Sequence, residues 1–169
     1  MLAFAVSIYL LLPLQAQYTP ELASYASLLF LPHGVRILSA WLMGWKSIML
    51  IAPTALLGHW LNFGVDGFTL VGLIGVFSGI VSATLTFWAL SYLGMDFRLT
   101  ARREANWRDI MLAGSFASII NTFGMGWAFD HNVATLAGFF VGDVTGLFAC
   151  MFFLMLIFKV ARGRGQVES

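Results

Sequence analysis

Residues 133–158 read VATLAGFFVGDVTGLFACMFFLMLIF, and Asp143 is the only charge in that run. A helix of this length covers roughly 39 Å at ~1.5 Å per residue, more than the ~30 Å hydrocarbon core of a bilayer. The stretch therefore predicts a transmembrane helix. The whole chain agrees. Of its 169 residues 60% are hydrophobic and 10% charged, against roughly 25% charged in a soluble domain. So few charges cannot cover a water-facing surface, which excludes an ordinary soluble domain, a disordered chain and a nucleic-acid binder. The length suits one transmembrane domain over residues 1–169.

Working outward, five further apolar stretches appear. They cover residues 2–16, 22–45, 47–61, 68–93 and 110–127. The first is short, and a signal peptide is its alternative reading. It lacks a basic leading region, however, and Leu14 is a poor residue before a cut after Ala16, so a retained helix is expected. The second contains Pro32, His33 and Gly34. Pro32 removes a backbone donor and Gly34 loosens its neighbourhood, which predicts a kink or break at Pro32–Gly34. The fold class expected is an all-α polytopic membrane bundle of about six transmembrane helices.

Orientation follows from the basic residues. Lys46, Arg98, Arg102, Arg103, Arg108, Lys159, Arg162 and Arg164 all fall on one side of this layout, and only Arg36 lies within a span. The positive-inside rule then puts both termini in the cytoplasm of a bacterial inner membrane. The opposite loops carry Glu21, Asp66 and Asp130 and no lysine or arginine. Trp45, Trp60, Trp107 and Trp127 fall at the expected interfaces. Asn106 with Asp109 has capping-box spacing at the start of span five. The stretch from Phe97 to Arg108 mixes apolar residues with four arginines and is expected on the membrane surface.

Small residues recur at four-residue spacing: Gly138, Gly142 and Gly146 on span six, and Gly75, Gly79 and Ala83 on span four. Such ladders let helices approach, either within one bundle or between two copies. Cys150, the single cysteine, excludes an internal disulfide and reads as a buried small hydrophobe.

Charges within spans cost about 2.5–3.5 kcal/mol each and need a reason. His33 and Arg36 are three apart and share a helix face. Asp143 lies roughly 15 Å deep at ~1.5 Å per residue. Arg36 and Asp143 are expected to interact directly or through a bound anion, water or ligand. Two readings stay open: they neutralise one another to hold spans two and six in register, or they bind a ligand. A break at Pro32–Gly34 would also leave a half-helix N-terminus with positive potential, a feature that lines sites in transporters. A second polar set, His59, Asn62, Asp66, Asn121, Asp130 and His131, either rims an outer vestibule or is ordinary interfacial polarity. The candidate ligand-binding or buried polar site is thus His33, Arg36, Asp143, Asn121 and His59. No histidine pair has the HxxxH or HExxH spacing of a metal site. No nucleophile with a nearby base, phosphate loop or redox motif appears, so no metal, cofactor or catalytic residue is expected.

Leu31-Pro32-His33-Gly34-Val35-Arg36, followed by Leu38-Ser39-Ala40-Trp41-Leu42-Met43-Gly44-Trp45, resembles a proline–glycine segment of MASE1 domains, integral membrane sensory domains of bacterial signalling proteins. Phe140-Val141-Gly142-Asp143-Val144-Thr145-Gly146-Leu147 resembles their later Gly-Asp segment, and Ser91-Tyr92-Leu93-Gly94-Met95-Asp96-Phe97 fits between them. MASE1 domains usually have more spans and a following output domain. The resemblance implies a stand-alone sensory core that binds a small molecule or senses a signal through a partner membrane or signalling protein, with lipid around it and no nucleic acid. The architecture is also similar to the substrate-binding S components of energy-coupling-factor vitamin transporters. A structural subunit of a membrane complex is the third reading.

The layout is checked by reporter fusions. Fusions at Asn62 and His131 should report an external location, and fusions at Arg102 and Ser169 an internal one. A reversed signal at any of the four breaks the proposed topology.

Overall fold

The computed structural model describes residues 1–18, 27–99, 106–129 and 133–165. Among them the regular structure is entirely helical, in six helices. We label these α1 (Leu2–Tyr18, with a π-helical stretch at Val6–Leu11), α2 (Leu31–Met43), α3 (Lys46–Phe63), α4 (Leu70–Tyr92), α5 (Trp107–Phe129) and α6 (Val133–Gly165). Three helices, α4, α5 and α6, are long and apolar enough to cross a membrane. In α6 only 11% of the most apolar window is buried. Phe148, Phe152, Phe153, Leu154, Met155 and Ile157 instead point outward, as lipid-facing side chains do. The four tryptophans expected at the interfaces, Trp45, Trp60, Trp107 and Trp127, are all exposed.

Local chemistry sets the helix ends. The Thr69 hydroxyl accepts the Gly72 N–H at 3.0 Å and starts α4. At α5 the capping box forms as its spacing predicts: Asn106 Oδ1 accepts the Asp109 N–H at 3.2 Å, and Asp109 Oδ2 accepts the Asn106 N–H at 3.1 Å. Gly44 (φ +55°, ψ −132°) ends α2 in a conformation that a side chain would strain.

The core lies where α2, α4, α5 and α6 meet. Ile37 and Ala40, Ala83, Phe87 and Leu90, Ile110, Ala113 and Ala117, and Leu147 are buried together. The alanines keep the α4–α5 and α2–α6 backbones close, and these pairs pack extensively. Phe97 corrects one expectation. The sequence places the stretch after α4 on the membrane surface, yet Phe97 is tucked into this core with Phe87 and Leu90, because an aromatic ring gains more by full burial than at the interface. Leu99 and Trp107 are exposed, and residues 100–105, with Arg102 and Arg103, lie outside the described residues.

The second span differs most from its sequence reading. It was expected as one helix over residues 22–45, kinked or broken at Pro32–Gly34. Here α2 begins at Leu31, with Phe30 (φ −99°, ψ 84°) as its N-cap. Pro32 sits in the first turn, where its missing N–H costs nothing, and Gly34 is helical. Residues 27–30 are non-helical, and residues 22–26 lie outside the described residues.

This non-helical piece lies directly on α6. Phe30 N–H donates to the Gly142 carbonyl at 2.8 Å. The Thr145 hydroxyl bonds the Leu28 carbonyl. From α1, Gln15 Oε1 accepts the Leu28 N–H at 2.8 Å, and Ser7 Oγ accepts the Leu31 N–H at 3.0 Å. A side chain at Gly142 would strike the Ser27 carbonyl, and one at Gly146 the Phe30 carbonyl. Two rungs of the span-six glycine ladder therefore admit a non-helical backbone rather than another helix. Gly34 in turn admits Cys150, whose Sγ lies 3.5 Å from the Leu31 carbonyl.

Gly146→Ala should therefore lower thermal stability in detergent by about 1–3 kcal/mol or more, since a fixed backbone cannot yield to the added methyl. Gly58→Ala is the control, because its Cβ would meet only the Phe4 ring, at 3.2 Å. It should be near neutral, and equal losses at the two positions would contradict the close approach of residues 27–30 to α6.

Candidate functional site

Three helices bring the buried polar residues together. His33 comes from the first turn of α2, Ser118 and Asn121 from one face of α5, and Asp143 from the middle of α6. Asp143 Oδ2 accepts the Ser118 hydroxyl at 2.9 Å and the Asn121 amide at 3.4 Å. His33 Nδ1 lies 3.4 Å from the same oxygen. His33 Nε2 lies 3.1 Å from the Gly114 carbonyl and must donate to it. Gly114 has no side chain, and Leu147 and Ile37 occupy the space where one would stand. His33 and Asp143 are 1% and 3% exposed.

The two His33 nitrogens thus both face oxygen acceptors. Nδ1 is within ion-pairing distance of Asp143 but makes no hydrogen bond of good geometry. A neutral ring holding its proton on Nε2 would set the Nδ1 lone pair against a carboxylate. A proton shared by the pair removes that repulsion. Because Oδ2 already accepts two donors, the imidazolium–carboxylate form satisfies this donor set best.

Arg36 leaves α2 in another direction. Its guanidinium rests against Gly79 of α4, where a Cβ would stand 2.9 Å from Nη1, and lies 5.7 Å from the centre of the Phe30 ring. No carboxylate among the described residues lies within ion-pairing distance of it. The direct Arg36–Asp143 contact is therefore absent: His33 stands where the arginine was expected, because the shorter side chain in the first turn of α2 reaches α6. Arg36 and Asp143 remain near enough to act on one another electrostatically. Arg36 also lines a cavity of about 60 Å³ with Phe4, Pro32, Ile51, Thr54 and Ala55.

Asn121 joins Asp143, but His59 does not. Its Nε2 donates to the Gly67 carbonyl at 2.7 Å, and its ring packs on Phe63 and Phe68, bracing the turn from α3 to α4. Asp130 and His131 lie outside the described residues. Among the described residues no three His, Cys, Asp or Glu side chains converge.

Sequence reasoning missed the bonding roles of Ser118, Ser7, Gln15 and Thr145. Ser118 and Asn121, three apart on an apolar helix, carried a readable signal. Ser7, a single serine in an apolar run, carried none.

A second cavity, about 250 Å³, lies at the other end of α2 among Trp41, Trp45, Phe87, Trp88 and Arg98. Arg98 there is neutralised by Asp96, to which it donates at 2.6 and 2.8 Å, and this contact holds the Asp96 carboxyl below its usual range. Comparison with protein-family models, curated proteins and solved structures finds no match.

Two double-mutant cycles separate the contacts of Asp143. Asp143→Leu alone should cost about 3–5 kcal/mol, since it strands buried polar and charged partners. Combined with His33→Leu it should show a coupling of roughly 1–3 kcal/mol, and combined with Arg36→Met a smaller one. Thermal unfolding in detergent measures both, and a larger coupling to Arg36 would contradict the described pairing.

Proposed function

We propose that this chain is a six-span inner-membrane protein, with both ends cytoplasmic, that binds a small molecule where α2, α5 and α6 meet. It works without catalysis and passes the resulting signal to a partner protein, as its MASE1 resemblance implies. One observation carries this reading. The two segments that bear the resemblance, 31–36 and 140–147, touch one another and hold the buried His33–Asp143 contact between them. A buried pair costs stability relative to apolar packing, so its presence favours a use beyond holding the bundle together. The layout is further supported by the larger cavity, which brings Trp45, beside Lys46, next to Arg98. Basic residues of two separate connections thus share one end of the bundle.

The proposed binding site adjoins the irregular part of this architecture. A non-helical strand at the start of α2 can shift against α6 more easily than a regular helix can, because its few bonds are to side chains and one carbonyl. A ligand that favours one position of the strand over another would change the α2–α6 contact, which is the differential interaction a sensor needs.

The test is crosslinking in native membranes followed by purification. A signalling protein with a cytoplasmic output domain should be recovered with the wild type. Asp143→Asn should leave the recovered amount unchanged while abolishing the partner's response. Recovery of an energy-coupling ATPase with its scaffold subunit would instead assign the chain to the transporter class.

A further inference from the structure

The gap between His33 and Asp143 is too narrow for a solute. Nδ1 and Oδ2 stand 3.4 Å apart, and Nδ1 is buried without a hydrogen-bond partner. A water bonded to both at ~2.8 Å would hold them about 4.5 Å apart. The surroundings are filled. Oδ2 accepts from Ser118 and Asn121, and Nε2 is set on the Gly114 carbonyl. Leu147 and Ile37 occupy the space beside Gly114. Neither the cavity of about 60 Å³ nor that of about 250 Å³ is lined by His33, Ser118, Asn121 or Asp143. What fits between the ring and the carboxylate is a proton.

Opposed charges make that proton exchangeable. Asp143 on α6 attracts it and Arg36 on α2 repels it, and both lie within electrostatic reach of the ring. Among the described residues no other charge faces the contact. α5 brings only uncharged groups to it, and its Asp109 is spent on the Asn106 cap. α1 and α4 contain no charged residue. On α3, Lys46 is exposed and His59 is bonded to the Gly67 carbonyl. The Cys150 thiol of α6 packs on Gly34 and the Leu31 carbonyl rather than on the ring. With the proton bound, His33, Asp143 and Arg36 together carry one net positive charge. Without it they carry none.

The contact is also tied to the backbone. His33 N–H donates to the Phe30 carbonyl at 3.2 Å, and Phe30 N–H donates at 2.8 Å to the carbonyl of Gly142, the neighbour of Asp143. His33 therefore cannot part from Asp143 without disturbing residues 27–30 on α6. With the two side chains 1% and 3% exposed, water reaches them only when this packing opens. We propose that the species taken up where α2, α5 and α6 meet is a proton, shared by His33 Nδ1 and Asp143 Oδ2, and that its uptake clamps the first turn of α2 onto α6. This deepens the small-molecule reading and rests on it, by naming what that site binds. With the proton present, Nδ1–H donates to the carboxylate and draws the contact in. With it gone, a nitrogen lone pair faces a carboxylate, and residues 27–30 are released from α6. The clamped state binds the proton more tightly, so falling pH favours it.

The experiment uses the full chain in lipid nanodiscs with nitrogen-15 in its histidine rings. The chain has three histidines, His33, His59 and His131, so His59→Gln and His131→Gln assign the remaining signal to His33 without touching the contact. That ring should take up one proton as the pH falls from about 9 to about 5, a range that brackets the ordinary histidine value. Asp143→Asn should weaken the uptake tenfold or more. Cys150 reads the clamp, because its Sγ lies 3.5 Å from the Leu31 carbonyl where α2 meets α6. Its alkylation by N-ethylmaleimide is divided at each pH by the rate in His33→Gln, which removes the ionisation of the thiol itself. The ratio should be roughly tenfold lower at the acid end than at the alkaline end. If His33→Gln fails to fold, Asp143→Asn is the reference, and the ring signal needs neither variant. A His33 ring that keeps one protonation state across the range overturns the proposal, as does one that titrates with no change at Cys150. If either occurs while the partner's response still requires Asp143, the small-molecule reading stands with a solute as its ligand. A proton step linked to Cys150, with a partner response indifferent to Asp143→Asn, would support the clamp and reject that reading.

Discussion

Four residues of non-helical backbone, 27–30, must satisfy their polar groups inside an apolar bundle, and much of the structure answers to that requirement. An unpaired peptide group in such surroundings costs several kcal/mol. A helix avoids the cost by bonding to itself, whereas an extended strand must borrow partners. Here the partners come from α1 and α6: Ser7, Gln15, Thr145 and the Gly142 carbonyl. The glycines at 142 and 146 are needed because the strand touches α6 backbone to backbone. A ladder of small residues usually brings two helices together, but the same absence of side chains serves an irregular strand equally well.

The break in regular structure also sets where charge can sit. Because α2 starts at Leu31 beside the middle of α6, its first turn delivers His33 to Asp143. The longer Arg36, one turn on, passes over Phe30 toward Gly79. The polar cluster is therefore divided. One part is the His33–Asp143 contact packed against α5, with Ser118 and Asn121 fixing the carboxylate. The other is a guanidinium held by an aromatic ring and a glycine. Fixed donors on one carboxylate oxygen leave the proton between His33 and Asp143 as the movable element. A single proton in such a place alters the charge of the whole cluster, since both side chains are buried and a charge there is weakly screened.

Composition and hydropathy alone determined that this chain is helical and bound for a membrane, because a surface with one charge in ten residues cannot be wetted. They also marked α4, α5 and α6, the α5 capping box, the interfacial tryptophans, and His33, Arg36, Asp143 and Asn121 as residues whose burial needs a reason. These are local properties: length, periodicity, and the cost of a charge in an apolar run. The tertiary structure decided what they do to one another. It placed His33 rather than Arg36 on Asp143 and sent His59 to brace a turn. It buried Phe97 and turned an expected helix kink into a helix start. It also recruited Ser7 and Thr145 to a strand far from them in the chain. Each of these outcomes depends on side-chain reach and on which backbones lie against one another. No single segment encodes that geometry, because a polar group's partner is chosen only once the helices have packed.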